Sequence, residues 1–416
     1  MAAVALTAAC ISSAAAQGAE GGPRGAGYPK LLGMNIGAKN YDEPQYIDAL
    51  SRLDVAILGF YPGWRGDRQG EKIAAVVRQM KARNPSMLIG QYTILNESSD
   101  DRVKSAASKD RIDKLDEEDW WLRRSDRSKT AWSRQYSAFD TNFTEWSKPD
   151  RNGDRYPQWL AKRDHRQFFG PVPQLGIWYF DNVMIRSRVN RADWKRNGTE
   201  VSNRDPDVEA AFRRGMADHW EAARRLRPDI LLMGNADNDL SSPEYRQRLN
   251  GVFLEGLMGK SYSIEGWGGW NMMMQRYFAT MANLKSPALL GFNVHGSTTD
   301  YRFFRYAFAS CLMGNGQFSF TDAVAGYSSV PWFDEYEVAL GAAIDAPTLT
   351  AWSNGVHRRR FEKAMVLVNP NADARSVQIE PGWRRLLARQ DPVANDGTPV
   401  TYLTLGPKEG LVLVRQ

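Results

Sequence analysis

The 416-residue chain is poor in cysteine and histidine, with two of the first and four of the second. One cysteine, Cys10, falls in an Ala-rich start, which leaves Cys311 alone in the remainder and excludes an internal disulfide framework. The four histidines, His165, His219, His295 and His357, form no H-E-x-x-H motif, and no paired C-x-x-C occurs, so the zinc hydrolase pattern is missing and no metal is expected. There is no G-x-S-x-G elbow to mark a serine esterase. The first apolar run ends in GMNIGAKNYD rather than G-x-G-x-x-G, which removes the dinucleotide fingerprint, and no cofactor is expected. Past the leader, no apolar stretch approaches the roughly 20 residues that span a bilayer. The net charge of +6 is spread along the chain rather than massed in one block, so a solvated basic surface explains it better than nucleic-acid binding does.

What the chain has is 43% hydrophobic residues, enough to fill a large core. The opening MAAVALTAACISSAAAQ is small and apolar, and its Ala14-Ala15-Ala16 fits a signal-peptidase site. The expectation is a signal peptide over 1–16 and a linker over 17–27, with export to the periplasm or the medium. Eight short β-rich runs follow: 31–37, 54–61, 86–93, 176–183, 229–235, 251–256, 288–295 and 316–322. Helical patterns separate them, among them EKIAAVVRQMKAR (71–83) and DVEAAFRRGMADHWEAARRLR (207–227), with apolar residues recurring at threes and fours. Continuous apolar strands alternating with helices point to parallel strands covered on both faces. Eight such units predict a (β/α)8 TIM barrel over 28–344. From 345 to 416 the pattern turns to short alternating runs, 364–370, 376–380, 400–405 and 410–416, with turns at NDGT and GPKEG, which predicts a small antiparallel β domain packed on the barrel.

Barrel enzymes carry their chemistry at the C-terminal ends of the strands. The run LGIWYFDNV ends there in Asp181 and Asn182, and GVFLEG brings Glu255 to the matching place two strands later. An acid at a strand end serves either chemistry or the cap of the next helix, but two of them on strands four and six face each other across one mouth. Facing carboxylates suit glycosidic cleavage, one protonating the leaving oxygen while the other attacks or activates water. Tyr61, Tyr92, Asn235, Asn293 and His295 end other strands and are candidate substrate-binding residues. Asp237, in NADND, is the rival for the acid role, in a stretch that also reads as a turn. Asp140, in FDTNF, either lines the cleft or caps a helix.

Sugar faces pack on aromatic rings, and the 14 tryptophans include Trp64, Trp120, Trp121, Trp132, Trp267, Trp270 and Trp332 in presumed loops, with Trp267, after strand six, a candidate substrate-binding residue. The 80-residue segment between strands three and four needs helices of its own, which DRVKSAASKDRIDKLDEEDWWLR supplies; it either walls one side of a groove that suits a polymer or serves stability. DRNGDR (150–155) reads as a turn rather than a calcium loop.

WYFDN, MGNADND, GVFLEG and the closing NDGTPV and LGPKEGLVLVR resemble hypothetical glycosyl hydrolase family 15, over about residues 28 to 416. That family is distantly similar to the α-galactosidase and endo-α-1,4-polygalactosaminidase barrels. The resemblance implies an α-glycosidase acting on a poly- or oligosaccharide such as a bacterial exopolysaccharide, with Asp181 as nucleophile and Glu255 as general acid/base in a retaining mechanism. The chain departs from the α-galactosidases in carrying Glu at the second position. The competing reading is a barrel that binds polysaccharide for export or assembly without cutting it. Composition leaves the oligomeric state open.

Overall fold

A computed structural model describes residues 27–133, 135, 137–236 and 240–416; the expected signal peptide and nearly all of the linker lie outside the described residues. Eight parallel strands form one sheet in chain order: β1 Leu32–Asn35, β2 Val55–Leu58, β3 Leu88–Ile94, β4 Ile177–Asp181, β5 Leu231–Asn235, β6 Gly251–Met258, β7 Leu289–Gly296 and β8 Gln317–Asp322. A parallel bridge from Leu31 to Phe318 closes it into the expected barrel, with the Phe318 N–H donating to the Lys30 carbonyl at 2.8 Å. All eight strands overlap the predicted runs, with β3, β6 and β7 ending one or two residues beyond them.

The period of two in each strand divides its side chains between two cores. Leu32, Met34, Val55, Ile57, Ile177, Tyr179, Met233, Phe253 and Leu289 fill the barrel interior. Their neighbours Trp178, Phe180, Leu232, Val252 and Phe292 point outward and pack under the helices in the main core. Trp178 stacks on Phe169 with ring centroids 3.9 Å apart. This alternation fixes the site: two residues beyond Tyr179, Met233 and Phe253 on the same inward face come Asp181, Asn235 and Glu255.

The helices cover the outside. They are α1 Pro44–Ser51, α2 Glu71–Arg83, α3 Lys109–Glu117, α4 Tyr156–Asp164, α5 Pro206–Leu226, α6 Ile264–Ala282 and α7 Tyr301–Leu312. The α2 helix spans the predicted residues, and α5 starts one residue early because Asp205 caps it, its carboxylate accepting from the N–H groups of Asp207 and Val208, with Pro206 next to the cap. The long segment between β3 and β4 holds α3, α4 and a two-stranded ribbon pairing Glu97–Ser98 with Phe139–Asp140. DRNGDR is a turn, in which the Asp150 carboxylate accepts from the N–H groups of Asn152 at 2.8 Å and Asp154 at 3.1 Å.

The C-terminal sheet runs in the order β9 His357–Arg360, β10 Ala364–Asn369, β13 Glu409–Arg415, β11 Arg375–Arg385 and β12 Pro399–Leu405. It packs on α7, where the Gly410 backbone comes so close to Arg305 that a Cβ there would lie 2.4 Å from the Arg305 carbonyl oxygen. Strand β9 was not predicted, because HRRR reads as surface. Its Arg359 is buried instead, with its guanidinium donating to the Leu312 carbonyl at 3.0 Å and to Asn315 at 2.6 Å just beyond α7. Among the described residues no helix is long and apolar enough to cross a membrane.

Candidate active site

One side chain joins the two acids. The Asn235 amide nitrogen, at the end of β5, donates to Asp181 Oδ1 at 3.1 Å and to Glu255 Oε2 at 2.8 Å. Two bonds from one nitrogen cap the separation of those carboxylate oxygens at about 6 Å, and the ~120° opening of an amide NH2 group brings them to about 5 Å. Asp181 and Glu255 are therefore neighbours at the C-terminal ends of β4 and β6, joined by one donor.

Asp181 also accepts from the Tyr92 hydroxyl at 2.5 Å and from the Asn182 backbone N–H at 2.8 Å. Asn182 adopts a left-handed conformation, φ 55°, which turns the chain sharply out of β4. Burial pushes the Asp181 carboxyl above the usual aspartate range, the three hydrogen bonds pull it back, and the charge of Glu255 pushes it up again. Burial and the adjoining Asp181 hold the Tyr92 hydroxyl protonated far above neutral pH, so it remains a donor.

Glu255 sits in a β-bulge. The β6–β7 register slips between Leu254 and Met258, with Gly256 at φ 62°. The Gly256 peptide is held at both ends, its N–H donating to Asn293 Oδ1 at 3.0 Å and its carbonyl accepting from Ser263 Oγ at 2.6 Å. The Tyr327 hydroxyl donates to Glu255 Oε1. Above the acids opens a cleft of about 700 Å³, lined by Asn182, Asn235, Glu255, Trp267, Tyr262 and Arg276 among others.

The structure revises several expectations. Asn293 is fully buried and spends its amide on Ser319 and Thr321 and its carbonyl on Gly256, so it positions the bulge instead of meeting a ligand. His295 is buried edge-on to Tyr327, 5.8 Å between centroids; burial, and after it the Lys260 charge, lower its pKa to about 4 against the pull of Glu255, leaving a neutral imidazole. Tyr61, 39% exposed, lies on the turn after β2 and is not among the cleft-lining residues. Asp237 lies outside the described residues. Of the tryptophans, Trp64, Trp120, Trp121 and Trp270 are core. Among the described residues, Trp267, 66% exposed, is the tryptophan that lines the cleft. Sequence reasoning missed Tyr327 and Glu97, whose only signal was an aromatic and an acid in βα loops; Glu97, held by Trp132 at 2.5 Å, adds a like charge near Asp181.

Asp140 neither lines the cleft nor caps a helix. It pairs with Glu97 in the ribbon, and its carboxyl is sealed beside Asn96 and Trp194, with Oδ2 lacking a hydrogen-bond partner. Burial, and then the charge of Glu97, raise its pKa to about 7. The folded state thus binds this proton more tightly than the unfolded chain, so stability declines as pH rises from about 4 to 7. Asp140→Asn mimics the protonated form. It is expected to raise the melting temperature at pH 8 while changing little at pH 4, by up to about 4 kcal/mol of unfolding free energy. Equal effects at both pH values in thermal denaturation would refute this.

Against known families, residues 81–365 match hypothetical glycosyl hydrolase family 15. The chain belongs to this family. No curated protein sequence matches it. Similar solved structures include an Anoxybacillus α-amylase at 10% identity, covering 91% of this chain and 90% of that one with a TM-score of 0.49. The glycoside hydrolase domain of PelA from Pseudomonas aeruginosa is 14% identical, covers 74% and 98%, and scores 0.45. The cyclic α-maltosyl-(1→6)-maltose hydrolase from Arthrobacter globiformis is 14% identical, covers 90% and 89%, and also scores 0.45.

Proposed function

We propose that this family 15 protein hydrolyses α-glycosidic bonds in an oligo- or polysaccharide by double displacement. The observation that carries the reading is the single Asn235 amide bonded to both acids, because a separation of about 5 Å leaves no room for a water between carboxylate and sugar and suits direct attack. An Asp181 oxygen attacks the anomeric carbon and forms an ester to the sugar. The glycosidic C–O bond breaks as Glu255 gives its proton to the leaving oxygen. Glu255, now a carboxylate, takes a proton from water, whose oxygen attacks the same carbon and expels Asp181.

Each neighbour has a part in that cycle. Tyr92, Asn182 and Asn235 stabilise the Asp181 charge in the ground state and again when it leaves. The Tyr327 hydroxyl can donate to the Glu255 carboxylate and turn to accept from its acid form. The exposed face of Trp267 offers a platform for a sugar ring. Cleavage of a panel of exopolysaccharides, with the first-formed anomer read by NMR, tests the proposal. Retention of the α configuration is expected. Inversion would reject double displacement, and tight binding with no cleavage of any glycan would favour a barrel that only holds polysaccharide.

A further inference from the structure

Two arginines line the same cleft as Glu255, Arg188 from the loop after β4 and Arg276 from α6. Among the described residues neither is in an ion pair, whereas Arg186, two positions before Arg188, is matched by Glu209 at 3.1 Å. Arg276 is half-buried, one helical turn beyond the cleft-lining Met272, and its Nε is sealed from solvent with no hydrogen-bond partner. Arg188 lies over the Trp132 ring at 4.4 Å, and its charge also acts on the nearby Glu97 carboxylate, which the Trp132 indole bonds. For Arg276, a half-buried guanidinium with no carboxylate partner is costly for the free protein, and its flat fork matches a carboxylate or sulfate.

Resting on the hydrolase reading, we infer that the cleft takes an anionic glycan, one whose sugar carries a uronate or sulfate group read by Arg276 and, at the rim, by Arg188. The cleft-lining side chains Ile264, Trp267 and Met272 of α6 offer apolar surface for ring faces, so the arginines are the positive groups there that select by charge. The net charge of +6 favours approach of such a polymer, and a polyamine glycan is disfavoured by the same field.

The test measures binding and cleavage separately. Wild type and Asp181→Asn are run by affinity electrophoresis in gels containing polygalacturonate, its carboxyl-reduced neutral form, dextran sulfate, dextran or a partly deacetylated amino-sugar polymer. Hydrolysis of each by wild type is followed by reducing ends. The expected result is retardation by an acidic polymer, weakening as salt rises, and lost on reduction or desulfation. Carboxylate and sulfate are distinguished by which acidic gel retards. Arg276→Met should weaken that binding about tenfold or more, and Arg276→Lys, which keeps the charge without the fork, by less. Unchanged melting temperatures of both variants exclude misfolding. Equal or better binding of neutral or amino-sugar polymers, or no binding of any acidic one, overturns the inference while leaving the hydrolase reading intact. Arginine-dependent binding of an acidic polymer that is never cut sustains the inference and removes the hydrolase.

Discussion

Asp181→Asn is expected to lower kcat by at least about ten-thousand-fold on any glycan the wild type cleaves, with little change in fold. The amide has the shape of the carboxylate and still accepts from Tyr92, but it does not attack carbon. In Asp181→Gly, which vacates the space of the carboxylate, azide should restore turnover and yield a glycosyl azide of inverted configuration, because it then takes the face from which Asp181 attacks. The wild-type pH profile carries a second signature. Asp181 must be ionised to attack, and burial places its pKa above the exposed-aspartate value of 3.8. The acid limb of kcat/KM should therefore lie above that value, with activity falling as pH drops through it. A variant with wild-type kcat, or a profile flat down to pH 4, would remove Asp181 from the reaction.

The second large effect is expected of Glu255→Gln. Loss of the acid should reduce kcat on natural glycans about a hundred- to ten-thousand-fold. Aryl glycosides whose phenol leaves without a proton should retain much of their first-step rate. The second step still lacks its base, so the glycosyl-enzyme accumulates and KM falls with kcat. In this variant azide should give a product of retained configuration, opposite to that from Asp181→Gly. Equal losses on good and poor leaving groups would show that Glu255 does not protonate the leaving oxygen.

The barrel was legible because its strands are buried on both faces, so they stand out as uninterrupted apolar runs between helical patterns. Asp181, Asn235, Glu255 and Tyr92 were legible for a related reason: the period of two that puts Tyr179, Met233 and Phe253 inside the barrel carries the next inward residue to its mouth. Asn293 has the same address and a different task, since only the β6 bulge shows that its carbonyl is needed by Gly256. Tyr327 comes from a loop, where no period fixes direction, and its bond to Glu255 depends on how the chain returns after β8. The tryptophans failed as a guide because a large ring in a loop packs inward as readily as it faces a ligand. Trp64 and Trp120 satisfy their indole N–H groups on the carbonyls of Lys39 and Lys148 within the protein. Strand β9 was hidden by its charges, of which Arg359 is bonded to a carbonyl at the end of α7 while Arg358 and Arg360 pair with Glu380 and Asp345.

The central claim is that Asp181 forms a bond to the sugar. The most direct measurement is mass spectrometry of the protein after reaction with a 2-deoxy-2-fluoro glycosyl fluoride of the sugar it cleaves, a reagent that slows departure of the trapped sugar. A gain of one sugar mass, mapped by peptide sequencing to Asp181, is the predicted result. A label on Glu255 would exchange the two roles, and no adduct from a reagent that blocks activity would contradict double displacement.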